Sequence, residues 1–270
     1  MDNINSLPAL SSHIDYLLRL GDSTLVLGQR LAEWCGHGPV LEEDIALGNI
    51  ALDLIGQSRL LLSHAGSLMQ PPQSEDQLAY FREQFGFRNF TMLELPNSGL
   101  EKGQQQRDYA FTICRNFLFS AYAVLLWQAL AESADRQLAA IAAKSAKEAR
   151  YHLRHSSDWM LRFGDGTAES HRRAQDALNA LLPYAQEFFS ADQTEQQAAA
   201  EDIAIPGSSL KPDWEQLVQG VIQDATLAWP PSWNSSQFRS SGKTGQHSEH
   251  FGFLLAEMQS LARAHPGANW

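Results

Sequence analysis

The sequence predicts an all-α protein. Apolar residues recur at helical spacing through most of its 270 positions. Clusters rich in Pro, Gly or Ser, such as "GHGP", "QPPQSED", "FGDG" and "AWPPSWNSSQFRSSGKTG", fall between the periodic stretches. There is no strand-rich block, tandem repeat or low-complexity tract.

The elements follow in order. Ser11 to about Cys35 reads as a first helix with Leu20, Leu27, Leu31 and Trp34 on one face, ended by "GHGP". Pro39 suits the first turn of a second helix, whose positive end Glu42, Glu43 and Asp44 complement, and which runs to about His64. The stretch from "QPPQSED" to "ELPNSGLEKG" is irregular, with a short helix and an extended piece in "LAYFREQFGFRNF". A third long helix, about Gln105 to Ser133, is apolar nearly all round and is therefore buried in the core or against a partner. Asp135 begins the fourth, with Gly164 as its C-cap, and Thr167 caps a fifth with Glu169 in its first turn. A shorter helix covers about Trp214 to Leu227, and a last one His247 to Ala264.

Four long helices in two pairs, joined by a long crossover, match the ferritin-like form of the four-helix bundle. The expected organisation is one domain over 1–270, with the core bundle at about 11–164 and a helical extension at about 165–270.

Composition narrows the function classes. A net charge of −11 argues against nucleic acid, whose phosphates demand a basic face. No stretch reads as long enough to span a membrane; the nearest, "FLFSAYAVLLWQALA", is interrupted by Ser120 and Gln128. "MDNINSLPAL" shows no secretory signal, and Cys35 and Cys114 sit in apolar patterns where buried thiols are expected. The compartment these features suggest is the cytoplasm.

A ferritin-like di-metal site takes one carboxylate from each of two helices and a Glu-x-x-His pair from each of the other two. "KEARYHLRH" comes close, but three residues before His152 stands Ala149, and Glu148 is one position off. His155 follows three residues later without a carboxylate of its own. On the second helix Asn49, Asp53 and Gln57 form a polar stripe, but three beyond Asp53 stands Gly56, which has no side chain. In "GQHSEHFG", His247 and His250 are three apart and Glu249 points elsewhere, so hydrogen bonding at a helix end is the simpler reading. "GDGT" and "SGKTG" lack the spacing and context of a phosphate loop. The tryptophans of "AWPPSWN" read as packing anchors or interface residues.

Three long stretches resemble one family: "GDSTLVLGQRLAEWCGHGPVLEEDIALGNIALDLIGQSR", "SAKEARYHLRHSSDW" and "GKTGQHSEHFGFLLAEMQSLARAHPGANW". They are similar, from about Leu17 to Trp270, to the C subunits of bacterial phenylacetyl-CoA 1,2-epoxidases. The resemblance implies a structural, non-catalytic subunit that pairs with a homologous di-iron subunit, alongside further small subunits. That partner would epoxidise the aromatic ring with O2, with electrons from a separate reductase carrying flavin and iron–sulfur groups and using NADPH. It also implies where the metal-site positions fall: Leu27, then Asp53 and Gly56, then near Ser120, then Ala149 and His152. Only Asp53 and His152 keep ligand chemistry, so no metal or other cofactor is expected in this chain. Instead, a polar remnant of Asp53, Gln57, Glu148 and His152, with Ser120 nearby, is expected to hydrogen-bond internally. The alternatives are a metalloenzyme with an altered site drawn from Glu43, Asp53, Glu148, His152 and His155, and a helical binding protein using the former metal cavity. The apolar third helix, the Trp-rich loop and the C-terminal helix are the expected interface surfaces.

Overall fold

A computed structural model of the chain describes residues 11–100, 106–231, 233 and 238–268. The N-terminal stretch read for a signal, the expected third-helix start at Gln105 and the end of the resemblance at Trp270 lie outside these residues.

Helix α1 (Ser12–Ala32) starts where Ser11 accepts a hydrogen bond from the Ile14 N–H, and nearly all of it is buried. Helix α2 (Leu41–Leu68) runs back along it. The two approach closely because Gly21 and Gly28 carry no side chain: a Cβ at Gly21 would stand 2.8 Å from Leu62, and one at Gly28 2.9 Å from Ile55. The crossover contains α3 (Glu75–Tyr80) and α4 (Thr91–Glu94). It is pinned to α1 by ion pairs Arg82–Asp22 and Arg88–Asp15, and by Arg30, whose guanidinium donates to the Glu94 carbonyl.

The second pair is α5 (Tyr109–Leu130) and α6 (Arg136–Asp165). Asp108 and Asp135 cap their starts through side-chain oxygens, as short polar N-caps do. Helix α7 (Ala168–Leu181), opened by Thr167 and Ser170 in reciprocal hydrogen bonds, packs on α5. After α8 (Gln186–Phe189) and α9 (Gln193–Ala200), helix α10 (Gly207–Asp224) covers α5, and Trp214 donates its indole N–H to the Leu118 carbonyl at 3.1 Å. Helix α11 (Phe251–Ala264) closes the chain against α3. The architecture is all-α and ferritin-like, and one continuous core runs from Ile14 to Leu255.

Several expectations are corrected. Helix α1 ends at Ala32, so Cys35 lies past it and is exposed, while Cys114 is buried as expected. Pro39 precedes the N-cap Val40 instead of occupying the first turn of α2. Gly164 is not the C-cap, which is Gly166. It lies inside α6 where any Cβ would collide with the Ala225 carbonyl oxygen, and only glycine permits that approach. The stretch before the expected helix start at Trp214 contains α9, and α10 already starts at Gly207 and tolerates Pro212 in its second turn. Two helices, Leu41–Leu68 and Tyr109–Leu130, do meet the length and hydropathy of a membrane span. The second is 94% buried over its apolar window, as a core helix is, which also removes it as an interface surface. In the Trp-rich loop Trp233 is turned inward: it is buried, and its indole donates to Glu215.

Candidate functional site

Helices α2 and α6 cross antiparallel, and their seam carries polar pairs in sequence order. Glu43 Oε2 meets His155 Nε2 at 2.8 Å. Asp53 Oδ2 meets His152 Nε2 at 3.1 Å. Gln57 donates to Glu148 Oε2 at 2.9 Å, and Lys144 approaches the other carboxylate oxygen at 3.5 Å. Ser156 donates to the His152 carbonyl, within the same helix.

Burial changes the register of the expected metal positions. The Asp53 side chain is 38% exposed, and a Cβ at Gly56 would meet nothing within 4 Å. The three-apart pair that faces the bundle interior on α2 is Leu54 and Gln57, both buried. Asp53 therefore reaches His152 from the rim, one position off the inward face, a displacement of about 100° around the helix. On the other helices Leu27, Ser120, Ala149 and His152 are all buried as expected. Ser120 does not join the seam; its hydroxyl turns to Asn116 on its own helix, at 3.4 Å.

Electrostatics favours the ionised form of Glu43. Burial pushes the Glu43 carboxyl up, but hydrogen bonds from Tyr109 and His155 and the nearby imidazole outweigh it and hold the group below its ordinary range. Tyr109, which donates to Glu43 Oε2 at 2.7 Å, is held protonated by its burial and by that carboxylate. Nothing in the sequence spacing links Tyr109 to Glu43, since they sit 66 residues apart on different helices.

The chain matches the phenylacetic acid catabolic protein family over residues 5–270. It is 46% identical over 255 residues to the C subunit of 1,2-phenylacetyl-CoA epoxidase from Escherichia coli strain K12, an alignment that takes in 94% of this chain and 98% of that protein. The chain belongs to the phenylacetic acid catabolic protein family.

Within this family member, the donors at the ferritin-like position do not fit a pair of irons. Two such ions need several carboxylates to offset their charge. The inward positions offer Leu27, Leu54 and Ala149, which supply no donor atom. Gln57 is committed to Glu148, and His152 to Asp53. Nor do the five residues of an altered site converge: Glu43 and Asp53 are ten residues apart on α2, about 15 Å along its axis. Two surface cavities lie away from this position, one between the end of α2, α3 and α11 and one between α5 and α10. Neither is lined by Leu27, Ser120, Ala149 or His152.

The remaining motifs have structural partners. His247 presents Nδ1 to Glu94 at 2.9 Å and Nε2 to the Phe87 carbonyl at 3.2 Å, so both ring nitrogens are engaged. Helix α11 begins at Phe251, with His250 as its N-cap, four residues later than expected. Lys243 of "SGKTG" is buried, donates to the Ser190 carbonyl and lies 3.8 Å from Glu195.

Proposed function

We propose that this chain is the non-catalytic structural subunit of a multicomponent oxygenase that epoxidises the aromatic ring of phenylacetyl-CoA. The 46% identity to the C subunit of such an epoxidase supports the complex, and the loss of inward donors at Leu27, Leu54 and Ala149 supports the non-catalytic role. Its partner in this reading is a homologous di-iron subunit, with further small subunits and a reductase carrying flavin and iron–sulfur groups and using NADPH. The reaction runs in the cytoplasm, where CoA thioesters and reduced nicotinamide are available, and involves neither nucleic acid nor a membrane.

The surface that meets the di-iron subunit is the outer face of α2. Leu41 (72% exposed), Ile45 and Leu52 (68% exposed) line up on one side of this helix. Gly48 and Gly56 lie between and beyond them with open space around their Cβ positions, so another helix can approach closely. An apolar track of this kind is uncommon on a protein that works alone. Helix α11 adds Phe253 and Leu261 on its own outer face.

The test is iron analysis of this chain purified alone and after co-expression with the di-iron subunit. The reading expects iron only in the pair, at about two ions, and epoxide only when pair and reductase are combined. Stoichiometric iron or turnover with this chain alone would overturn it.

A further inference from the structure

At the end of the bundle where α1 starts and α2 ends, three side chains from three parts of the chain converge. His64 Nε2 lies 2.6 Å and His13 Nε2 2.7 Å from the same oxygen, Asp135 Oδ2. The three donor atoms all fall within 4.8 Å of one another, and no other such group of His, Cys, Asp or Glu occurs among the described residues. The other oxygen, Oδ1, accepts the Gln137 and Leu138 N–H groups at the start of α6, which fixes the carboxylate plane and leaves Oδ2 for the imidazoles. His64 is 5% exposed, and its ring makes no protein hydrogen bond except to Asp135. His13 is partly exposed, which opens the cluster to solvent on one side.

We propose that His13, His64 and Asp135 bind one divalent first-row transition ion, with zinc the best match to the donor set. Two imidazoles and one carboxylate are a three-ligand set that leaves a fourth position for water, which His13's exposure admits. Calcium and magnesium prefer all-oxygen cages and are poorly served here. In the hydrogen-bonded form each Nε2–H donates to Oδ2; when the ion binds, each neutral ring carries its single proton on Nδ1 instead, which frees the Nε2 lone pair as a ligand. Bonds of about 2.0–2.1 Å set tetrahedral ligand atoms about 3.3 Å apart. The present N···O separations of 2.7 Å to His13 and 2.6 Å to His64 must therefore each open by about 0.6–0.7 Å, which takes a shift of His13, in the first turn of α1, and a rotation of the His64 ring. Burial opposes ionisation of Asp135, but hydrogen bonds from His64, the Leu138 N–H and His13 hold its carboxyl below its ordinary range, so the anionic ligand is ready.

The site lies about 16 Å along α2 from Asp53 and is separate from the ferritin-like position. Bound metal would tie both helix pairs together across sequence separations of 71 and 122 residues.

The test uses tag-free full-length chain, stripped with EDTA, titrated with zinc by calorimetry and with cobalt by visible absorption. One zinc per chain is expected, with a tetrahedral cobalt spectrum and a raised melting temperature. His13→Gln, at a part-exposed position that leaves the fold intact, should weaken zinc at least tenfold and abolish the melting shift. His64→Asn should do the same, and His152→Gln should bind as the parent does. Absence of stoichiometric zinc in folded parent protein would overturn the proposal. So would binding that survives His13→Gln, or binding lost in His152→Gln.

Discussion

Gln57 donates its amide N–H to Glu148 across the α2–α6 seam, joining a buried side chain to a carboxylate that borders the inward face. The bond ties α2 to α6. Gln57→Ala removes this partner and opens a small void. The expected loss is about 1–3 kcal/mol in urea unfolding. An unchanged midpoint would show that the seam is held by apolar packing alone.

Asp53 and His152 form a pair of unequal environments, one at the rim and one inside. Asp53→Asn keeps a hydrogen-bond acceptor in place at a part-exposed site and should change stability by less than about 1 kcal/mol. His152→Ala leaves a cavity in the core and should cost about 2–4 kcal/mol. Paired thermal melts compare them, and equal effects would contradict the asymmetry.

The outer track on α2 is tested by Leu41→Asp with Leu52→Asp. Both positions face solvent in the isolated chain, so its melting temperature should move little. Co-purification with the di-iron subunit should be lost. A double variant that still assembles places the interface elsewhere.

Glu43 supplies the pH dependence. Its folded pKa lies below the unfolded value, so its stabilising effect is fully present above about pH 4.5 and fades as pH falls through the folded value. Parent and Glu43→Gln should therefore differ most near neutral pH and converge in acid. Denaturant midpoints of both proteins at pH 7, 5 and 3.5 measure this, and a gap that widens in acid would reverse the sign.

Gly164 is tested by its nearest substitution. A methyl group there meets the Ala225 carbonyl, which is backbone and cannot swing aside. Gly164→Ala should destabilise by about 3 kcal/mol or more, despite alanine's better helix propensity. A stabilised variant would show that α6 and the loop after α10 can separate without penalty.

The helix order, both long helix pairs and the Asp135 and Thr167 caps were legible because each rests on local spacing. Helix α10 starts at Gly207, before the expected Trp214, because a proline as close to a helix start as Pro212 forfeits one backbone bond and leaves the later turns intact. On α2 the expectation settled on Asp53 because it keeps ligand chemistry, although Leu54 is the buried neighbour. Only burial shows which of the two faces inward. The His13, His64 and Asp135 cluster left no trace in spacing at all. Its members come from three separate stretches of chain, and only folding makes them neighbours.

The link between Lys243 and Glu195 has a consequence for biosynthesis. Arg19, in the third turn of α1, pairs with Asp192 at 2.6 Å and approaches Glu195 at 3.7 Å, while Lys243 reaches Glu195 from the far end of the chain. Helix α1 thus waits, with a buried cation, for partners made more than 170 residues later. The bundle cannot settle as a finished unit during translation. Chains released before residue 243 should be open to proteolysis, whereas chains that reach Lys243 should resist it.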